Sequence, residues 1–83
     1  MNYVYLLKSL KENWIYVGST QDLQKRFKQH NHGEVKVTNF YKPLNLVYYE
    51  AYKDLKTARS REKEIKKSAI EKDRILKRIG LRK

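Results

Sequence analysis

Five side chains in this sequence, Tyr5, Tyr16, Arg26, His30 and Glu62, are of the types that hydrolysis of a phosphodiester would need. The attacking water must lose a proton, the pentacovalent phosphate must be neutralised, and the leaving oxygen needs its charge stabilised. Arg26 suits the phosphate because a planar guanidinium can grip two oxygens at once. Glu62 suffices to anchor a magnesium or manganese ion, since Mg²⁺ commonly takes one carboxylate and fills its other positions with waters and phosphate oxygens. A tyrosine near its ordinary pKa of about 10 is ionised in only about one molecule in a thousand at pH 7, so acting as a base requires about 4 kcal/mol from nearby cations. Arg26, a metal ion and His30 are the sources at hand, and His30 can itself relay a proton.

The elements that must position these groups follow from local pattern. Asn2 to Lys8 (NYVYLLK) and Trp14 to Gly18 (WIYVG) read as strands joined by a short hairpin. If Lys8 and Asn13 close that hairpin, Tyr5 falls opposite Tyr16, and alternation places both rings on one face. Ser19 or Thr20 then caps a helix running to about His30, with Asp22 in its first turn and Gly33 beyond its end. Gly18 lets the chain turn sharply into that helix. Leu23, Arg26, Phe27 and His30 stand at i, i+3, i+4 and i+7, so an arginine and a histidine lie on the inward stripe. Residues 43–52 (PLNLVYYEAY) read as a third strand, the longest and the central one. Asp54 caps a second helix over 55–68 whose inward stripe is Leu55, Ala58, Glu62, Ile65 and Ala69, placing a carboxylate among small and apolar residues. A last helix from about Glu71 to Ile79 packs Ile75, Leu76 and Ile79 and stops before Gly80.

Composition bounds the rest. Eighty-three residues predict one domain over 1–83, with a core of marginal size. Zero cysteines exclude a disulfide framework, cysteine-ligated zinc and thiol catalysis, and fit a cytoplasmic setting. No basic leader or membrane-length apolar run is present, so the chain is expected to be soluble and not exported. Twenty Lys and Arg against nine Asp and Glu give +11, of which residues 1–52 carry +3 (7 basic, 4 acidic) and residues 53–83 carry +8 (13 basic, 5 acidic). All seven tyrosines lie in the first 52 residues. The chain therefore reads as an aromatic sheet followed by a basic helical part, a body that attracts polyanions, nucleic acid foremost.

Each candidate also has an ordinary structural reading. Arg26 can pair with Glu62 in a half-buried ion pair, or Glu62 can pair with Lys66 at i, i+4. His30 can be a satisfied helix-end histidine, and Tyr5 and Tyr16 plain cross-strand aromatics. Taken one at a time these readings suffice. Together, two tyrosines on one face with an arginine, a histidine and an isolated glutamate form a hydrolytic set.

The order of these residues resembles the GIY-YIG nuclease domain. YVY (Tyr3 to Tyr5) stands for its first strand motif and YVG (Tyr16 to Gly18) for its second, about ten residues apart; DLQKRFKQHN matches its arginine helix, and LVYYEAY with ARSREKEIKK its third strand and glutamate helix. The likeness is greatest to short bacterial members akin to the N-terminal nuclease domain of the excinuclease that acts in DNA repair. It implies an α+β fold, a three-stranded antiparallel sheet flanked by helices, and magnesium-dependent hydrolysis of DNA strands. It also implies motif tyrosines at Tyr5 and Tyr16, a structural glycine at Gly18, a phosphate-binding Arg26, the histidine of many members at His30, and a metal-binding Glu62. Two departures stand out: Tyr3 occupies the place of the first motif's glycine, and no asparagine follows Asn45.

Two functional classes follow. One is a Mg²⁺- or Mn²⁺-dependent DNA endonuclease, structure-selective or weakly specific, acting on branched or damaged DNA as a monomer or under the direction of a larger protein partner. Lys25, Arg26, Lys66 and the basic C-terminal helices would hold the DNA backbone without reading bases. The other is a non-catalytic nucleic-acid-binding module retaining the fold.

Overall fold

The computed structural model describes residues 1–82; Lys83, counted above in the basic C-terminal part and in the 1–83 domain, lies outside them. Three strands, β1 (Asn2–Ser9), β2 (Ile15–Thr20) and β3 (Leu44–Tyr52), form an antiparallel sheet in the order β2-β1-β3. Helices α1 (Leu23–Asn31), α2 (Leu55–Lys67) and α3 (Ala69–Arg78) flank it, and a short 3₁₀ turn at Asn39–Tyr41 leads into β3.

The central strand is β1, not the longer β3. A strand with neighbours on both sides and helices on both faces needs apolar groups facing both ways. Val4 and Leu6 on one face and Tyr5 and Leu7 on the other are all essentially inaccessible to water. In β3, by contrast, Tyr49 is well exposed and Pro43 stands at the strand's entrance, as suits a sheet edge.

The sheet divides the core in two. Beneath α2 and α3, Val4, Leu6 and Val17 pack with Ala58, Ile65, Ile75 and Leu76. On the opposite face, Tyr5, Leu7 and Leu44 pack with Trp14, Tyr16, Leu23, Phe27, Tyr41 and Leu46. An irregularity in the β1–β3 pairing, at Leu6/Leu7, lets Val47 join Tyr48 on the α2 side while Leu46 stays with Leu7.

Helix starts agree only in part with expectation. Asp22, not Ser19 or Thr20, caps α1, its carboxylate accepting from the Lys25 N–H at 3.1 Å. Ser19 and Thr20 remain in β2, which continues past Gly18. Asp54 caps α2 as expected. Ser68 ends α2 and caps α3 through the Glu71 N–H, so Ala69 opens a new helix and is exposed. Leu55 is exposed too, and the inward stripe of α2 shrinks to Ala58, Glu62 and Ile65.

Candidate active site

The first wall of the site is the β1–β2 pairing. Tyr5 lies opposite Gly18 and Leu7 opposite Tyr16, a register two residues from the one closed by Lys8 and Asn13. A shift of two preserves the alternation, so Tyr5 and Tyr16 do share a face, with ring centroids 6.3 Å apart. Gly18 does not form a turn. It sits within β2, and a Cβ built on it would stand 2.6 Å from the Tyr5 Oη and 2.8 Å from the Tyr16 Cε2. Glycine is required there because both phenol rings lie across its backbone.

The second wall is α1. His30, in its last turn, is fully buried, with Nε2 2.8 Å from the Tyr5 Oη and Nδ1 2.7 Å from the Thr38 Oγ1. Thr38 has a carbonyl acceptor, Val35 O, at 3.4 Å. With the Thr38 hydroxyl donating there, we assign the imidazole proton to Nδ1, which donates to Thr38, and Nε2 accepts from the Tyr5 hydroxyl. Burial, aided by the Arg26 charge, pulls His30 down to about 4. Burial, aided by Tyr16, pushes the Tyr5 phenol up to about 12, against the pull of the Arg26 guanidinium. At neutral pH the pair is therefore a neutral phenol donating to a neutral imidazole. The lowering of the Tyr5 pKa that base catalysis would require is not present in the free protein.

Arg26 is half-buried, its Nη1 donating to the Gln29 Oε1 at 3.1 Å. It lines an open cleft of about 400 Å³ with Ser19, Thr20, Lys25 and Gln29. Lys25 is thus brought to the same cleft, exposed.

Glu62 reaches this region from the other face of the sheet. β2 is an edge strand, and α2 presents Glu62 at its end, where the Ser19 hydroxyl donates to Oε1 at 2.6 Å and Lys66 pairs with Oε2 at 2.7 Å. Burial alone would raise the carboxyl's pKa, but Lys66 and Ser19 outweigh it and hold the pKa below the usual carboxylate range. Ser19 links the two halves, touching Glu62 and lining the Arg26 cleft. Of the ordinary readings, the Lys66–Glu62 pair is thus found, while Arg26 has Gln29 as its side-chain partner. Among the described residues no group of three or more His, Cys, Asp or Glu could cage a metal. A single ionised carboxylate beside a hydroxyl and an open cleft is nonetheless a donor set that Mg²⁺ accepts, because that ion retains waters and binds phosphate oxygens.

Three supporting residues are not evident from the sequence. Ser19 reads there as a helix cap, and Thr38 lies in a polar loop with no periodicity. The third, Arg61, is hidden among many basic neighbours. It grips both Glu50 oxygens, through Nε at 2.8 Å and Nη2 at 3.0 Å, and also pairs with Glu64 and with Glu71 on α3. Tyr48 and Tyr52 donate to the same Glu50 carboxylate. The signal that points there is Glu50 itself, a lone charge between tyrosines at i−2 and i+2, hence on one face of a strand. By clamping α2 to β3 and α3, Arg61 fixes the rotation of the helix that carries Glu62 one residue on.

Comparison with known proteins decides the family. Residues 1–72 match the family model described as the GIY-YIG catalytic domain. The chain belongs to the GIY-YIG family. Among its relatives are UPF0213 proteins of Clostridium perfringens, 47% identical over 68 residues (81% of this chain, 72% of the relative), and of Haloquadratum walsbyi, 38% identical over 80 residues (95% and 89%). The solution NMR structure of the UPF0213 protein from Bacillus halodurans has the same fold, with a TM-score of 0.57 and 32% identity, over 96% of this chain and 86% of that one. The α+β architecture of a three-stranded antiparallel sheet with three helices agrees with that neighbour. Family membership places the chain in a nuclease family whose members generally use divalent metals. No helix among the described residues is long and apolar enough to cross a membrane.

Proposed function

We propose that this protein is a Mg²⁺- or Mn²⁺-dependent endonuclease that hydrolyses DNA phosphodiester bonds, structure-selective or weakly specific. The observation that carries the reading is the meeting, around one end of β2, of an arginine in an open cleft, a buried Tyr5–His30 pair and an ionised glutamate held by Ser19.

Arg26 binds the scissile phosphate from the cleft and neutralises the charge that grows on its non-bridging oxygens. On this reading the two tyrosines take different roles, a division supported by their burial. Tyr5, 1% exposed, has no access to water and serves as the proton-holding partner of His30, whereas half-buried Tyr16 is the phenol that meets the attacking water. His30, neutral at pH 7, accepts from the Tyr5 hydroxyl at Nε2 and so holds the Tyr5 ring in place beside Tyr16, while the proton of the attacking water passes to solvent from the half-buried Tyr16 side. Glu62, with Ser19 orienting one oxygen, would hold the divalent ion, which would polarise the phosphate and favour departure of the leaving oxygen. Lys25 and the basic faces of α2 and α3 hold the backbone electrostatically. On this reading residues 1–83 form one nuclease domain, cytoplasmic and monomeric, and a larger protein can direct it to DNA in repair.

The purified protein incubated with plain and flapped DNA plus Mg²⁺ or Mn²⁺ should cut, and Glu62→Ala should abolish cutting. Turnover unchanged by Glu62→Ala would end the proposal. A specific observation favours the alternative of a binding module without catalysis: both Glu62 oxygens already have partners, Ser19 and Lys66. That reading expects steeply salt-dependent DNA binding indifferent to Glu62, and turnover present in the wild type but lost in Arg26→Ala rules it out.

A further inference from the structure

A second cavity, about 440 Å³ in volume, opens on the α1 face and has no part in the scheme above. Its walls include the rings of Tyr3, Tyr49 and Phe27. Tyr3 and Tyr49 meet edge to face, with centroids 6.0 Å apart. Tyr49 stands on β3 opposite Tyr5 yet is 55% exposed, because the nine-residue α1 is too short to cover this part of the sheet. The volume falls within the roughly 300–1,000 Å³ of small-molecule sites. Gln21 and Gln24 add amides, which can both donate and accept at the rim.

What fits such a slot follows from its neighbour. Gln21 and Asp22 line both this cavity and the Arg26 cleft, so the two adjoin. A polymer whose phosphate occupies the cleft and whose strand runs toward Gln21 places its next residue beside the aromatic walls, and in a nucleic acid that residue presents a flat base. Aromatic rings accept any base by stacking, and amides satisfy its polar edge. We propose that this cavity receives the unstacked base of a nucleotide next to the phosphate bound by Arg26. The proposal rests on the phosphate-binding role given to Arg26 above. It deepens that role by naming the substrate feature selected: a nucleotide free to leave its stack, as at a flap, a gap or a strand end. Fully paired DNA would have to be unstacked first.

The test reads binding, not cleavage, in EDTA at fixed salt. Fluorescence anisotropy compares oligothymidylate with an abasic strand of equal length and charge. The wild type should bind the base-bearing strand about tenfold more tightly. Tyr49→Ala should erase that preference and leave the abasic affinity unchanged, and Tyr49→Phe, which keeps the ring, should retain it. Equal affinity of the wild type for the two strands, or an equal loss on both in Tyr49→Ala, overturns the site; the former is also the result if the cavity serves a protein side chain. Arg26→Ala separates the two claims. It should weaken both strands alike, and a null effect there alongside an intact, Tyr49-dependent base preference would remove the phosphate role of Arg26 while leaving the base site standing.

Discussion

Glu50→Gln isolates the clamp that holds the Glu62 helix in place. In the native chain Arg61, together with the Tyr48 and Tyr52 hydroxyls, overcomes the burial of the Glu50 carboxyl and takes its pKa from an ordinary 4.5 to about 2. The Glu50 side chain is only 16% exposed, so solvent screening is modest. At about 1.4 kcal/mol per pH unit, that depression corresponds to about 3 kcal/mol of native-state stability. The sign is that of a depressed acid: the contribution is complete above pH 4.5, where the unfolded chain's carboxyl is ionised too, and disappears as pH falls toward 2. The amide of glutamine keeps the shape and accepts a hydrogen bond from Arg61, but it leaves the guanidinium without its bidentate counter-charge. Urea unfolding of wild type and variant at a series of pH values measures the effect. We expect Glu50→Gln to lose about 3 kcal/mol at pH 7 and to show a distinctly flatter acid limb, the rest of which comes from other carboxylates. A variant within about 0.5 kcal/mol of wild type at pH 7, or an unchanged acid limb, would refute the argument that this carboxylate is held by Arg61.

Other consequences concern the site directly. Gly18→Ala drives a methyl into the Tyr5 and Tyr16 rings and should cost about 1–3 kcal/mol by thermal or urea unfolding, with nuclease activity lost even below the melting temperature; a silent substitution would mean that the rings do not rest on this glycine. His30 should titrate by NMR with a midpoint of about 4, well below the ordinary 6.5. The stability contributed by its neutral form should be full above pH 6.5 and decline as pH falls toward 4, and an imidazole titrating between pH 6 and 7 would contradict the Tyr5–His30–Thr38 chain. Ser19→Ala removes a hydroxyl that orients the Glu62 carboxylate and helps keep it acidic, so the Glu62 pKa should rise and, through the lost orientation of a carboxylate still ionised at pH 7, cleavage should fall by about tenfold. Failure of the Glu62 carboxyl resonance to shift its titration in that variant would count against Ser19 as its partner.

Periodicity of two carried the faces of the sheet, and it was robust. Tyr5 and Tyr16 share a face whether the hairpin closes at Asn13 or later, because slipping by two residues leaves alternation intact. The helix stripe carried Arg26 and His30 inward for the same reason, and the Asp54 cap was a local hydrogen bond visible as a residue type. Where local signals competed, the structure chose otherwise. Ser19, Thr20 and Asp22 are all good caps, and the winner was decided by how far β2 continues to pair with β1. The place of β3 at the edge depended on which strand could be buried on both faces, a comparison between strands that no single strand's length settles.

The amino-acid sequence by itself determined the set of chemical groups, their family order and the faces they occupy, because these rest on side-chain type and on the short periods of strand and helix. Only the tertiary structure decided their states. The burial of Tyr5 against His30 raised one pKa and lowered the other. The approach of α2 round the edge of β2 gave Glu62 its partners Ser19 and Lys66. The nine residues of α1 left Tyr49 uncovered beside the Arg26 cleft. Desolvation and cross-element contact depend on what lies opposite a residue in space, and in each of these cases the deciding neighbour is drawn from another element of the chain.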